Sequence, residues 1–127
     1  MIKEEDRMSK EIIGAAIEVH RHLGAGILES AYEECLCKEL EIRNIAFERQ
    51  KPLAVVYKGI TLDCGYKLDI VVEGKVILEL KSVNKIEPIH DAQLLTYLKL
   101  AGLKLGILLN FNVPVLKDGI KRIVNNL

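Results

Sequence analysis

The residues best suited to chemistry lie in one stretch, Tyr66 to Lys81, which reads Tyr-Lys-Leu-Asp-Ile-Val-Val-Glu-Gly-Lys-Val-Ile-Leu-Glu-Leu-Lys. Two apolar, β-branched segments flank Glu73-Gly74-Lys75, the pattern of a β-hairpin. Strand alternation places Asp69 on the face of Lys67 and Val71, with Leu68, Ile70 and Val72 opposite. On the second strand Glu79 and Lys81 share one face, and Leu78 and Leu80 share the other. A three-residue loop at 73–75 pairs Val72 with Val76 and sets Asp69 across from Glu79. A two-residue loop slips the register and splits the acids between faces. In the first case two carboxylates and an ammonium converge, and carboxylates are the donors that a hard divalent cation takes. The plain alternative is the solvated polar face of a half-buried antiparallel pair.

Positioning these groups falls to the rest of the chain. Lys3 to Leu23 reads as a helix, with Ile12, Ile13, Ala16, Ile17, Val19, His20 and Leu23 on its apolar face. Ser9 offers a start for a shorter version. Gly24-Ala25-Gly26 ends it. A second helix, from Leu28 or Glu29 to Arg43, carries Ala31, Tyr32, Cys35, Leu36, Leu40 and Ile42 as apolar contacts. Glu29 falls in its first turn, where the helix dipole favours an acid. Phe47–Gln50 and Pro52–Tyr57 read as a strand bulged or broken near Pro52. Lys58-Gly59 turns the chain into Ile60–Asp63, which leads through Gly65 to the hairpin. A third helix runs from Ile89 to Ala101 behind Pro88, with Ala92, Leu94, Leu95, Leu98 and Ala101 as its core stripe. Gln93 and Tyr97 lie on another stripe, with His90 three residues before Gln93. Leu103–Leu109 is a buried strand, and Ile120–Val124 follows Asp118-Gly119 as a short last one. Strand, helix 89–101 and strand form a right-handed parallel crossover. The expected architecture is a three-layer α/β/α domain around a central mixed sheet.

Composition narrows the class. Half of the 127 residues are hydrophobic and 28% are charged, as expected of one globular domain spanning 1–127. No apolar run reaches transmembrane length and no secretory signal opens the chain. Eighteen basic residues balance eighteen acidic ones, which gives no support for broad electrostatic attraction to nucleic acid but permits a local patch. Cys35, Cys37 and Cys64 form no C-x-x-C pair and read as packing residues of a reducing, cytoplasmic compartment. His20 and His22 cannot face one metal from a regular helix; His20 reads as packed and His22 as exposed. His90 shares the stripe of Gln93 and Tyr97 and so is a candidate for the cleft.

Asp69, Glu79-Leu80-Lys81, Glu29 and Gln93-x-x-x-Tyr97, taken together, resemble the PD-(D/E)XK nuclease superfamily. Gly26-x-x-Glu29-x-x-Tyr32 resembles its GxxExxY family. The resemblance covers about Ile12 to Asn112. Each motif is weak alone, and the ordered set is far more specific. Leu68 stands where the superfamily name has a proline. The resemblance implies a restriction-endonuclease-like fold with an αβββαβ core and a metal-dependent nuclease acting on nucleic acid, DNA rather than RNA by superfamily habit. It implies Mg²⁺ or Mn²⁺ held by Asp69, Glu79 and the carbonyl of Leu80, with Glu29 direct or through water. Lys81 stands beside the attacking water, and Gln93 and Tyr97 orient the site or touch the substrate backbone. The rival expectation is a non-catalytic module on the same fold that binds protein or nucleic acid. A homodimer is compatible with either.

Overall fold

The computed structural model describes residues 3–127. The chain opens with helix α1, Glu4–Leu23, and helix α2, Glu29–Ile42. Met8, Ile12, Ala15, Ala16 and Val19 recur at helical spacing and are buried on one face of α1. Acids at Glu4, Glu5 and Asp6 and basic groups at His20, Arg21 and His22 suit the helix dipole at each end. Helix α2 buries Tyr32, Leu36 and Leu40 in the same layer.

Strands β1 (Phe47–Tyr57), β2 (Ile60–Val72) and β3 (Val76–Lys81) follow as an antiparallel meander. Helix α3, Pro88–Ala101, crosses to strand β4, Leu105–Asn110, which pairs parallel with β3. A 3₁₀ turn at Leu116–Gly119 leads into β5, Ile120–Val124, antiparallel to β4. The five strands lie in chain order in one mixed sheet.

Two apolar layers separate the sheet from its helices. Ile70, Val72, Leu78, Leu80 and Ile107 pack with α1 and α2, where the Tyr32 ring stacks on Phe111 at 4.4 Å. The Tyr32 hydroxyl donates to the Ala16 carbonyl at 3.1 Å, so Tyr32 is a core residue that ties the two helices together. On the other face Leu53, Leu68, Val71, Ile77 and Leu108 pack with Leu94 and Leu98 of α3. Gly106 permits that approach: a Cβ there would lie 2.8 Å from Leu94. This is the α/β/α sandwich expected from the sequence.

Several local expectations are corrected. Ser9 is a buried residue inside α1 rather than its cap. Leu23 and Ile42 are exposed at the ends of their helices, past the area the sheet covers. Ala92 is exposed and Leu95 only half-buried, because α3 meets the sheet along the narrower Leu94–Leu98 stripe. Cys64 is exposed on the outer half of β2, where no layer covers it, while Cys37 is buried. Strand β1 runs unbroken past Pro52, and the bulge expected near that proline is present as a register shift between Leu53 and Val55. Leu68 does not share a face with Ile70, for a reason that lies in the site itself.

Candidate active site

The β2–β3 hairpin has the three-residue loop. Val72 pairs with Val76, Val71 with Ile77 and Ile70 with Leu78. Glu73 and Gly74 take φ of +53° and +65° to close it. Beyond Ile70 the ladder stops, while β3 continues its pairing with β4 as far as Lys81 and Asn110. Side chains replace the missing main-chain bonds at that fork. The Asp69 N–H donates to Glu79 Oε2 at 3.1 Å, and the Leu80 N–H donates to Asp69 Oδ2 at 2.9 Å. The two carboxylates are thus built into the strand divergence, each with one oxygen held by a main-chain N–H.

The β1 side of the fork is also distorted. Arg49 pairs with Ile70 and Lys51 with Leu68, so Gln50 stands opposite Asp69. Gln50 has φ +49°, a left-handed conformation uncommon for a residue with a side chain. The twist at this step reverses the alternation. Leu68 joins Val71 and Ile77 under α3, while Ile70 and Val72 face α1 and α2. Glu33 of α2 holds the distorted segment. It is buried, and it accepts from Arg49 Nη2 and from Gln50 Nε2, each at 2.8 Å. Arg49 also reaches Glu34 at 3.0 Å. Sequence reasoning missed this network. Its one visible signal was that Glu33 lies a helical turn after Glu29, on the same side of α2.

Electrostatics tie the remaining groups to the fork. Burial first, and then the neighbouring Asp69 charge, push the Glu79 carboxyl up to about 8, with Lys81 acting against the rise. Glu29 is also raised, by burial and then by Asp69, and again Lys81 opposes the shift. The Tyr97 hydroxyl is raised by burial and then by Glu79, Tyr66 and Asp69. The end of β3, the start of α2 and the middle of α3 therefore share one electrostatic neighbourhood. Glu29 contributes to it from an exposed position. Among the described residues no three His, Cys, Asp or Glu side chains stand as a ready cation cluster.

Gln93 is exposed on α3 and Tyr97 is half-buried, with its ring 5.9 Å from that of Tyr66. Leu94 and Leu98 turn inward from the same helix, so Tyr97 is not lost in the leucine layer. His90 is a capping residue rather than a cleft residue: its Nδ1 accepts the Glu87 N–H at 2.9 Å at the start of α3. His20 is buried and bonded to the Val113 carbonyl, and His22 is exposed against Glu18. Asn110, opposite Lys81, bonds both main-chain groups of Val83 and holds the segment that leaves the site.

A mixed five-stranded sheet in this order, layered between helices, is a restriction-endonuclease-like fold. A family model described as the PD-(D/E)XK nuclease superfamily matches residues 6–123, and the chain belongs to that superfamily. No curated protein and no solved structure matches the chain. Among the described residues no helix is long and apolar enough to cross a membrane.

Proposed function

We propose that the chain is a Mg²⁺- or Mn²⁺-dependent nuclease of the GxxExxY family, acting on DNA in the cytoplasm as a single domain. The observation that carries this reading is the Asp69–Glu79 fork. Two carboxylates exchange main-chain hydrogen bonds there, and one of them is too buried to ionise readily beside the other. Such a pair favours a cation that relieves its repulsion. Its all-oxygen donor set suits a hard cation and offers no thiolate or imidazole for zinc.

In this reading Asp69, Glu79 and the carbonyl of Leu80 hold the cation, with Glu29 joining them directly or through water. When bound, the cation supplies Lewis-acid polarisation of the phosphate and acidifies a water. Lys81 places a positive charge beside the two acids, where it can stabilise charge growing on the phosphate oxygens or assist loss of the water's proton. Gln93 and Tyr97 line the approach from α3 and orient the phosphate backbone. Gly26, Glu29 and Tyr32 support the narrower family. Of the three, Tyr32 serves packing, through its bond to Ala16 and its stack on Phe111.

Single-turnover cleavage of labelled DNA under saturating Mn²⁺ tests the assignment at Lys81. Lys81→Ala should fold like wild type by circular dichroism and cut about a hundredfold more slowly or worse, the scale of one lost preorganised charge. Lys81→Arg should rescue only in part, because a planar fork places its charge differently from a compact ammonium. A folded Lys81→Ala protein that cuts at the wild-type rate removes the residue from the mechanism.

A further inference from the structure

A concavity of about 400 Å³ is lined by residues of β1, β2 and α3 that include Tyr97 but neither Asp69 nor Glu79. One wall is the outer half of the β1–β2 hairpin, represented by Val55 and Tyr66. The other is the outward stripe of α3, with Gln93, Thr96 and Tyr97. The hairpin is offset there: Leu53 pairs with Tyr66 but Val55 with Leu62, so β2 spends more residues than β1 across the step. Gly65, at φ +75°, and the Asp63 carboxylate that accepts its N–H form the extra turn. Tyr66 is 47% exposed and its ring is tilted 55° to that of Tyr97.

We propose that this groove is a stacking site for an unpaired nucleobase of the strand whose phosphate enters the fork. The inference rests on the nuclease reading and narrows its substrate to single-stranded or frayed nucleic acid. Three observations point to a base rather than to a second copy of the chain. First, the lining has two tyrosine rings and apolar side chains, with the Gln93 amide and the Thr96 hydroxyl able to meet a base edge. Second, the groove neighbours the fork through Tyr97, which lines the cavity and whose hydroxyl is raised in part by the charges of Glu79 and Asp69. Third, among the described residues no acid lines the groove, and the hairpin segment 51–67 that walls it carries Lys51, Lys58 and Lys67 against Asp63 alone, a net charge of +2 (three minus one). An anionic backbone suits such an arm. Within the duplex a base is stacked and paired, so this site requires it to be free.

The test uses a short fluorescein-labelled oligothymidylate, the same strand with one abasic position, and its duplex, measured by anisotropy with Ca²⁺ in place of Mg²⁺ to hold the strand intact. Wild type should bind the single strand most tightly. Tyr66→Ala should weaken that binding about tenfold, the scale of one lost base–aromatic stack. Thr96→Trp, which fills the groove from an exposed helix position, should do the same. An abasic nucleotide at the responsive position should cost a similar factor and leave Tyr66→Ala with little further effect. Equal binding of the single strand by wild type, Tyr66→Ala and Thr96→Trp overturns the proposal, as does tighter binding of the duplex. Self-association of wild type that Tyr66→Ala abolishes, seen by sedimentation, assigns the groove to a second copy and also overturns it. Cleavage by wild type in Mg²⁺ is scored separately, so the groove can fail while the nuclease reading survives.

Discussion

Replacing Glu79 by glutamine should stabilise the metal-free protein at neutral and alkaline pH while abolishing its response to divalent cations. The unfolded chain releases this proton near 4.5, and the native protein holds it to about 8. Between those values the native state carries one more proton than the unfolded state. Stability therefore falls as pH rises from 4.5 to 8 and levels off above it. The gap sets a ceiling of about 5 kcal/mol at ~1.36 kcal/mol per pH unit. Relaxation and water entering the fork reduce the working figure to roughly 2 kcal/mol. The glutamine side chain retains an oxygen for the Asp69 N–H and gains an amide donor toward the Asp69 carboxylate, so it needs neither the proton nor a cation. In thermal melts with EDTA the Glu79→Gln variant should exceed wild type by roughly 6–10 °C at about pH 8.5, at about 3–5 °C per kcal/mol for a chain of this size. The difference should vanish near pH 4.5. Added Mn²⁺ should raise the melting temperature of wild type alone, with an apparent affinity that weakens about tenfold per pH unit below about 8 as the proton competes. A variant less stable than wild type under the same alkaline, metal-free conditions would overturn this expectation, because Glu79 would then be ionised and satisfied without a cation.

Other outcomes follow from the surrounding structure. Glu33→Ala should free the Gln50 side chain and weaken Mn²⁺ binding about tenfold by calorimetry, at a cost of only ~1–2 kcal/mol in urea melts since Arg49 keeps Glu34; Glu33→Gln should recover part of both, and unchanged Mn²⁺ affinity in Glu33→Ala would separate this network from the fork. Gly119→Ala should cost about 3 kcal/mol or more in the same melts, because its Cβ would meet the Asn110 carbonyl oxygen, a backbone atom that cannot swing aside. Tyr32→Phe should lose about 1 kcal/mol with the hydroxyl's bond to Ala16 and leave metal affinity unchanged.

Much of this architecture was legible in the sequence because it rests on local signals. The loop at Glu73-Gly74-Lys75 determined the register of β2 and β3, and that register brings Asp69 to Glu79. Apolar periodicity located α1, α2 and α3, and the near-continuous apolar run from Leu103 to Leu109 marked the buried β4, which spans Leu105–Asn110. What escaped depends on contacts between segments distant in sequence. No propensity announces that Gln50 turns left-handed, since Glu33 holds its side chain from another element. The reversal that carries Leu68 under α3 follows from that twist, and simple alternation cannot foresee it. His90 has the spacing of a cleft residue, but the free Glu87 N–H at the helix start claims it. Nothing in its local sequence sets Tyr66 apart, and only the offset at Gly65 and the placing of α3 bring it beside Tyr97.

The activity proposed for the Asp69–Glu79 fork is the cutting of nucleic acid with the help of a divalent cation. The most direct measurement incubates wild type and Asp69→Asn with labelled single-stranded, duplex and branched DNA across a titration of Mg²⁺ and of Mn²⁺, with circular dichroism as the folding control. Wild type should cleave at a rate that rises with the cation and stops with EDTA, and a folded Asp69→Asn protein should cut at least about a hundredfold more slowly at every concentration. Cleavage by Asp69→Asn equal to wild type would contradict this, as would a folded wild type that leaves every substrate intact at saturating cation.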